Sequence, residues 1–355
     1  MKGLLLAGGH GTRLRPLTNT GNKHMLPIAN KPMLLYGLEH LRAAGINDVA
    51  VILGPIKEGV VEALGDGSKI NMRITYIDQP EPKGLAHAVQ LSEDYMKDEP
   101  FVMYLGDNLL KQGVADFAST FHKNKLDCLV GVCPVDDPSR FGIAEMDGEK
   151  LVRLVEKPKE PKSNLALIGV YVFGPSIFSA VNKIKPSWRD ELEITDAIQL
   201  LLSDGGRVEA RKVSGWWKDT GKPEDLLDAN HLVLLDMETR MEGKLSEQTS
   251  VGRHVSIGSG TTTLGIVRIN GPALIGKNCE IGPDVYIGPY TTIGDNCILR
   301  GAEIENSIVM QGSRIESSGR IIDSLIGSNS TLLNGNGSLP KGHKLILGES
   351  SFARF

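Results

Sequence analysis

Apolar residues stand at Ile275, Ile281, Ile287, Ile293 and Leu299, one every six positions, and a glycine follows four of the five. Val251 and Ile257 begin the same pattern upstream. A strand repeats its side-chain direction every two residues and a helix every 3.6, so a period of six belongs to neither alone. A fixed repeat of this kind is the signature of a parallel β-helix. The pattern runs roughly from residue 248 to 335, with an interruption near "TTTLGIVRINGPA".

The repeat resembles the hexapeptide pattern of left-handed β-helix domains. That resemblance implies a triangular prism in which each repeat forms one flat side and three repeats form a coil. The isoleucine points inward, and so does the small residue two places before the next one: Cys279, Val285, Thr291 and Cys297. Cys279 and Cys297 are 18 residues apart, one full coil, and are expected to stack at the inter-strand spacing of about 4.8 Å. Buried small residues explain them better than a metal site or a disulfide.

The chain before this point has a different rhythm. Short apolar runs such as "KGLLLAG", "DVAVILG" and "PFVMYLGDN" alternate with helical stretches such as "KPMLLYGLEHLRAAG". Such alternation implies crossovers and an α/β, Rossmann-like, mostly parallel sheet. Ligands in these sheets bind beyond the carboxyl ends of the strands, where the glycine turn after the first strand, Gln79 and Asp107 all fall. The expected organisation is an α/β domain over 1–235, a helical linker over 236–247, the β-helix over 248–347 and a tail over 348–355. A net charge of −4 over 355 residues gives no basic field for nucleic acid. No leader or membrane-length apolar run is apparent. Four scattered cysteines suit a reducing cytoplasm.

The first apolar run ends in "AGGHGTRLRPLT". Three glycines followed by an arginine suggest a backbone cradle for an anion. The P-loop spacing is absent. The dinucleotide fingerprint fails at Leu14, where its third glycine belongs. The pattern G-G-x-G-T-R-L-x-P-x-T of nucleotidyltransferases matches at every defined position. Seven further segments follow in order: "KHMLPIANKPM", "QPEPKGLAHA", "LGDN", "RFGIAE", "VEKP", "ELEITDAI" and "WWKDTG". On these the chain resembles the sugar-1-phosphate nucleotidyltransferases, specifically the long form of the glucose-1-phosphate thymidylyltransferases.

The resemblance implies transfer of dTMP from dTTP to glucose 1-phosphate with Mg²⁺, giving dTDP-glucose and pyrophosphate at the head of a deoxysugar pathway. The attacking sugar phosphate is already ionised, so charge neutralisation rather than a general base is required. The implied nucleotide site comprises Leu6, Gly8, Gly9, Gly11, Thr12, Arg13, Gln79, Gly84 and Asp107. Arg13, Lys23 and Lys157 are the implied catalytic cations; Arg13 suits the leaving pyrophosphate because its planar fork matches phosphate oxygens. Asp107 and Asp219 are the implied Mg²⁺ ligands. Gly142, Glu156, Lys157 and Glu193 are the implied sugar site, whereas Tyr171 reads as core. Gln79 can pair with the edge that thymine and uracil share.

Two positions depart from the family. His10 fills a slot that usually holds a small residue, and His24 stands where Gln is common. A uridylyltransferase acting on glucose or N-acetylglucosamine 1-phosphate is the nearest rival. A bifunctional enzyme with acetyl transfer in the β-helix would need a histidine such as His254 or His343. A non-catalytic scaffold would have no need of both metal carboxylates. The expected assembly is a homo-oligomer, a trimer through the β-helix being one form, with no nucleic-acid or membrane partner.

Overall fold

The computed structural model describes residues 1–317 and 319–333. The expected β-helix residues 334–347, with His343, and the tail 348–355 lie outside the described residues. The chain forms two compact units. The first comprises Met1–Gly11, Thr20–Met25 and Met33–Asp219, and the second Thr12–Asn19, Leu26–Pro32 and the chain from Thr220 onward.

The first unit is a nine-stranded sheet. Arg73–Asp78, Asp48–Leu53, Lys2–Ala7 and Phe101–Leu105 lie side by side and parallel in that order. Beyond them the sheet is mixed rather than parallel. Leu165–Phe173 runs antiparallel to Phe101–Leu105 and to Cys128–Pro134, and the hairpin Gly142–Asp147/Lys150–Glu156 continues from its edge. The run "KGLLLA" is apolar throughout because both faces are covered. Leu4 and Leu6 enter one core with Phe101, Met103 and Ile194, while Leu5 and Ala7 enter the other with Leu34, Leu38 and Leu41. Counted along the chain, the parallel strands stand in the order 3-2-1-4. The order reverses between the first and fourth, the switch point at whose carboxyl ends ligands of such sheets bind.

The second unit holds three five-stranded parallel sheets that make the three sides of the expected left-handed β-helix. The apparent interruption at 261–273 is no break in the coil. Thr263 pairs with Ile281 and Val267 with Val285, in full 18-residue register. Thr263 simply holds the inward slot that isoleucine fills elsewhere. After Ile287 the coils shorten: Ile287 pairs with Ile304 and Ile293 with Val309, so a strict six-residue template drifts there. The corners explain the polar residues between repeats. Asn278, Asp284, Asn296 and Asn306 all take positive φ, a conformation that Asn and Asp tolerate better than other side chains. Cys279 and Cys297 are fully buried free thiols. Their Sγ atoms face the Gly294 and Met310 carbonyls at 3.1 and 3.3 Å.

The expected linker is also different. The sequence "KPEDLLDANHLVLLDMETRMEG" predicts a helix after Pro223, and the helix is present as Pro223–Asp236, in the same unit as the β-helix, but it does not continue through the expected linker. Its fully buried Asn230 accepts from the Ala29 amide and the Thr292 hydroxyl, at 3.0 and 2.8 Å, and donates to the Tyr290 carbonyl at 3.2 Å. Residues 237–247 are not helical; Met241 and Lys244 bridge to Ile257 and Thr262, so they begin the first coil.

Thr263 is held in place by its hydroxyl. Oγ1 accepts from the Ser246 amide at 2.8 Å and lies 2.6 Å from Thr249 Oγ1. Thr263→Val therefore removes the acceptor of a half-buried amide and is expected to destabilise the protein by about 0.5–1.5 kcal/mol. A urea midpoint no lower than that of the wild type, at unchanged slope, would contradict this.

Candidate active site

The glycine turn is built by backbone meeting backbone. A Cβ on Gly8 would stand 3.3 Å from Gln79 Oε1 and 3.4 Å from the Gly54 nitrogen, and a Cβ on Gly54 would fall on the Gly8 carbonyl. Gly54, which follows the second strand in "VILG", packs against the glycine turn and is not singled out by any motif in the sequence. Leu6 is buried in the core beneath the loop. Gly11 has φ +64°, which glycine adopts without steric cost. Thr12 and Arg13 follow in the short turn Thr12–Leu14, both exposed, as is His10. Within its own unit Arg13 stands over Gly221, with a guanidinium nitrogen 3.1 Å from where a Cβ would lie.

Gln79 is buried, and its amide nitrogen donates to the Gly84 carbonyl at 3.1 Å and faces His87 Nδ1 at 3.2 Å. Its oxygen is left facing the glycine loop. Gly84 has φ +99°, and a Cβ there would run into the Leu192 backbone, whose nitrogen lies 2.8 Å away. Glycine is thus required by close packing against the 192 segment.

Lys23 and Asp107 meet beside the glycine turn. The Lys23 ammonium pairs with Asp107 Oδ2, and Asn108 Nδ2 donates to Oδ1 at 2.9 Å. The lysine stem passes over Gly9, where a Cβ would stand 2.7 Å from Cε. Burial opposes ionisation of Asp107, but the Lys23 charge and the two donors outweigh it and hold the carboxyl well below the usual range. The strand Trp217–Asp219 pairs with Asn108–Leu110 and sets Asp219 opposite Asn108, one residue from Asp107. Asn108 ties the corner together: its Oδ1 accepts from Trp217 Nε1 at 2.7 Å and from the Gly169 amide at 3.2 Å. Asp107 and Asp219 are the carboxylates here that could hold a divalent cation such as Mg²⁺, which takes one or two carboxylates and completes its shell with substrate oxygens and water.

The expected sugar residues also converge. Gly142 and Glu156 are register partners, and a Cβ on Gly142 would stand 2.9 Å from Thr195 Oγ1 and 3.1 Å from Glu156 Oε2. Thr195 donates to Glu156 Oε2 at 2.6 Å. Lys157, at φ +40°, holds its ammonium 3.6 Å from Glu156 Oε1. Glu193 is buried and accepts from Ser187 Oγ at 2.8 Å; burial pushes its carboxyl up, and the charge of Glu156 adds to that. Arg189, unnoticed in the sequence, bridges Glu156 and Glu193 at 3.4 Å each and Glu191 at 2.8 Å. Tyr171 is core, stacked on Phe173 at 5.8 Å between ring centres.

Residues 2–235 match the family model described as nucleotidyl transferase. The chain belongs to that family. Residues 269–337 match a second model, the GMPPB C-terminal domain. The nucleotidyltransferase is 48% identical to a glucose-1-phosphate thymidylyltransferase of Streptomyces antibioticus, over 99% of this chain and 98% of the relative. It is 47% identical to the low-salt glycan biosynthesis nucleotidyltransferase Agl11 of Haloferax volcanii, over 99% of both. A solved structure described as a glucose-1-phosphate thymidylyltransferase from Bacillus anthracis, in complex with a sucrose, superposes with a TM-score of 0.64 at 38% identity, covering 68% of this chain and 98% of that one. Among the described residues no helix is long and apolar enough to cross a membrane.

In this nucleotidyltransferase His24 is a structural residue. It is buried, with its ring against Gly106. Asn22 spends its amide nitrogen on the Ala7 and Ile56 carbonyls, so its oxygen accepts from the His24 amide and from Nδ1, which therefore carries the proton. Burial, and then the Lys23 charge, lower the His24 pKa from 6.5 to about 3. The unfolded chain thus binds a proton that the folded one refuses. The stability His24 contributes is complete above pH 6.5 and is lost as pH falls toward the folded value, at up to about 1.4 kcal/mol per pH unit. His24→Gln is expected to flatten that acid limb in urea unfolding between neutral and mildly acidic pH; an unchanged slope would show that His24 is protonated in the folded state.

Proposed function

We propose that this nucleotidyltransferase transfers dTMP from dTTP to glucose 1-phosphate in the cytoplasm, giving dTDP-glucose and pyrophosphate. The observation that carries the proposal is the corner at the switch point, where Lys23 lies against Gly9 and pairs with Asp107, and where Asp219 is the register partner of Asn108, the residue next to Asp107. The full-length likeness to a thymidylyltransferase supports the substrates.

The glycine-loop amides and Lys23 receive the triphosphate. Arg13, two residues beyond Gly11, takes the leaving pyrophosphate. Gln79 offers its carbonyl oxygen to the imide N–H that thymine and uracil share. Glu156 and Glu193 accept from sugar hydroxyls, and Lys157 holds the sugar phosphate. An oxygen of that phosphate bonds to the α-phosphorus as the bond from the α-phosphorus to the bridging oxygen breaks, and the electron pair leaves with pyrophosphate. No proton need be removed from the nucleophile. Mg²⁺ held by Asp107 and Asp219 would supply charge neutralisation when bound.

UTP is the second substrate to consider, because Gln79 reads an edge that uracil also presents and one methyl is worth only about 1–3 kcal/mol. Pyrophosphate release with Mg²⁺ and glucose 1-phosphate across dTTP, UTP, ATP, GTP and CTP tests the assignment. The highest kcat/KM is expected with dTTP. A higher value with UTP would make the protein a uridylyltransferase. Silence with every nucleotide, and again with N-acetylglucosamine 1-phosphate, would overturn the catalytic proposal.

A further inference from the structure

We infer that Lys23 is a tethered stand-in cation: its ammonium occupies Asp107 in the nucleotide-free protein and gives that place up only when a divalent cation arrives with a nucleoside triphosphate. This rests on the proposed role of Asp107 and Asp219 as cation ligands. Three observations carry it. Both Asp107 oxygens already have a donor, Oδ2 from Lys23 and Oδ1 from Asn108. The Asn108 amide is fixed by its bonds to Trp217 and Gly169, so Oδ2 is the oxygen that can be released. The Lys23 backbone is equally fixed, since its neighbours Asn22 and His24 are buried and hydrogen-bonded to one another. Only the lysine stem can move. It lies across Gly9, where the missing side chain leaves it a path over the loop proposed to cradle the triphosphate.

Charge decides the order of events. A divalent cation alone would have to settle beside an ammonium that has nowhere better to go, and like charges a few ångströms apart repel strongly at a partly buried site. A triphosphate gives the ammonium a better partner than a single carboxylate, and its departure frees Oδ2. The tether therefore couples cation binding to nucleotide binding and keeps the empty site from filling with metal. Asp107 meanwhile stays ionised and in position.

The test is binding of Mn²⁺ by the nucleotide-free protein at neutral pH, read from the electron paramagnetic resonance signal of the free ion. Lys23→Met keeps the stem and removes the charge; it is expected to bind Mn²⁺ about tenfold or more tightly than the wild type. Lys23→Arg keeps the charge and is expected to bind as weakly as the wild type. Asp107→Asn added to Lys23→Met is expected to abolish the gain. Equal affinity for the wild type and a folded Lys23→Met protein, with Asp107→Asn weakening both, would overturn the stand-in role and leave the cation site intact. Absence of Asp107-dependent Mn²⁺ binding in every variant, even with dTTP present, would overturn the cation site and the stand-in together.

Discussion

Asp107→Asn is expected to lower the rate of pyrophosphate release by about 10³-fold, the scale of losing several kcal/mol of charge stabilisation at a metal-assisted centre. The substitution is nearly isosteric. The side-chain oxygen still accepts from Asn108 Nδ2, so the Asn108 links to Trp217 and Gly169 have no reason to break. What is lost is charge. Asp107 is ionised at neutral pH in spite of its burial, because Lys23 stands against it. Asparagine removes that charge and leaves the lysine beside a neutral amide. Circular dichroism unchanged from the wild type, together with turnover measured over a range of Mg²⁺, checks the assignment. If high Mg²⁺ restores the full rate, the carboxylate serves only affinity for the ion; a rate unaffected at all concentrations removes Asp107 from the mechanism.

Arg13→Ala is expected to cost about 10²–10³ in kcat, as for removal of one preorganised donor to developing charge. The arginine is exposed and lies over Gly221, where truncation disturbs no core packing, so thermal stability is expected to stay within measurement of the wild type. Lys at this position should recover only part of the rate, because a point charge lacks the planar fork that grips two phosphate oxygens. A kcat equal to that of the wild type would take Arg13 out of the reaction. A loss confined to KM would make it a binding residue and not a stabiliser of the leaving group.

Much of the site is local in sequence. Gly8, Gly9, Gly11 and Arg13 lie within six residues of sequence, so the proposed phosphate cradle is legible as a run of consecutive amides followed by an arginine. The expected sugar residues are legible as segments, but what joins them is not. Arg189 looks like one more surface arginine until Glu156 is brought within 3.4 Å of it by the sheet. Asn108 stands in the open in "LGDN", yet its part in holding Trp217 and facing Asp219 depends on a strand that begins more than a hundred residues later. His24 stands out in the sequence only as a departure from the family, because the sequence does not say which side chains burial will neutralise.

The period of the second half determined a parallel β-helix without further help, since each inward residue repeats at a spacing no other regular structure uses. The alternation of strands and helices likewise determined an α/β first half. The tertiary structure alone decided that Thr263 is an inward residue in full register, because its hydroxyl finds partners at Ser246 and Thr249 that no six-residue template contains. It alone placed Thr12–Asn19, Leu26–Pro32 and the helix Pro223–Asp236 with the β-helix. Periodicity is a property of one stretch of chain and can be read there. Register, burial and charge state belong to pairs of stretches, and they exist only once the chain has brought those pairs together.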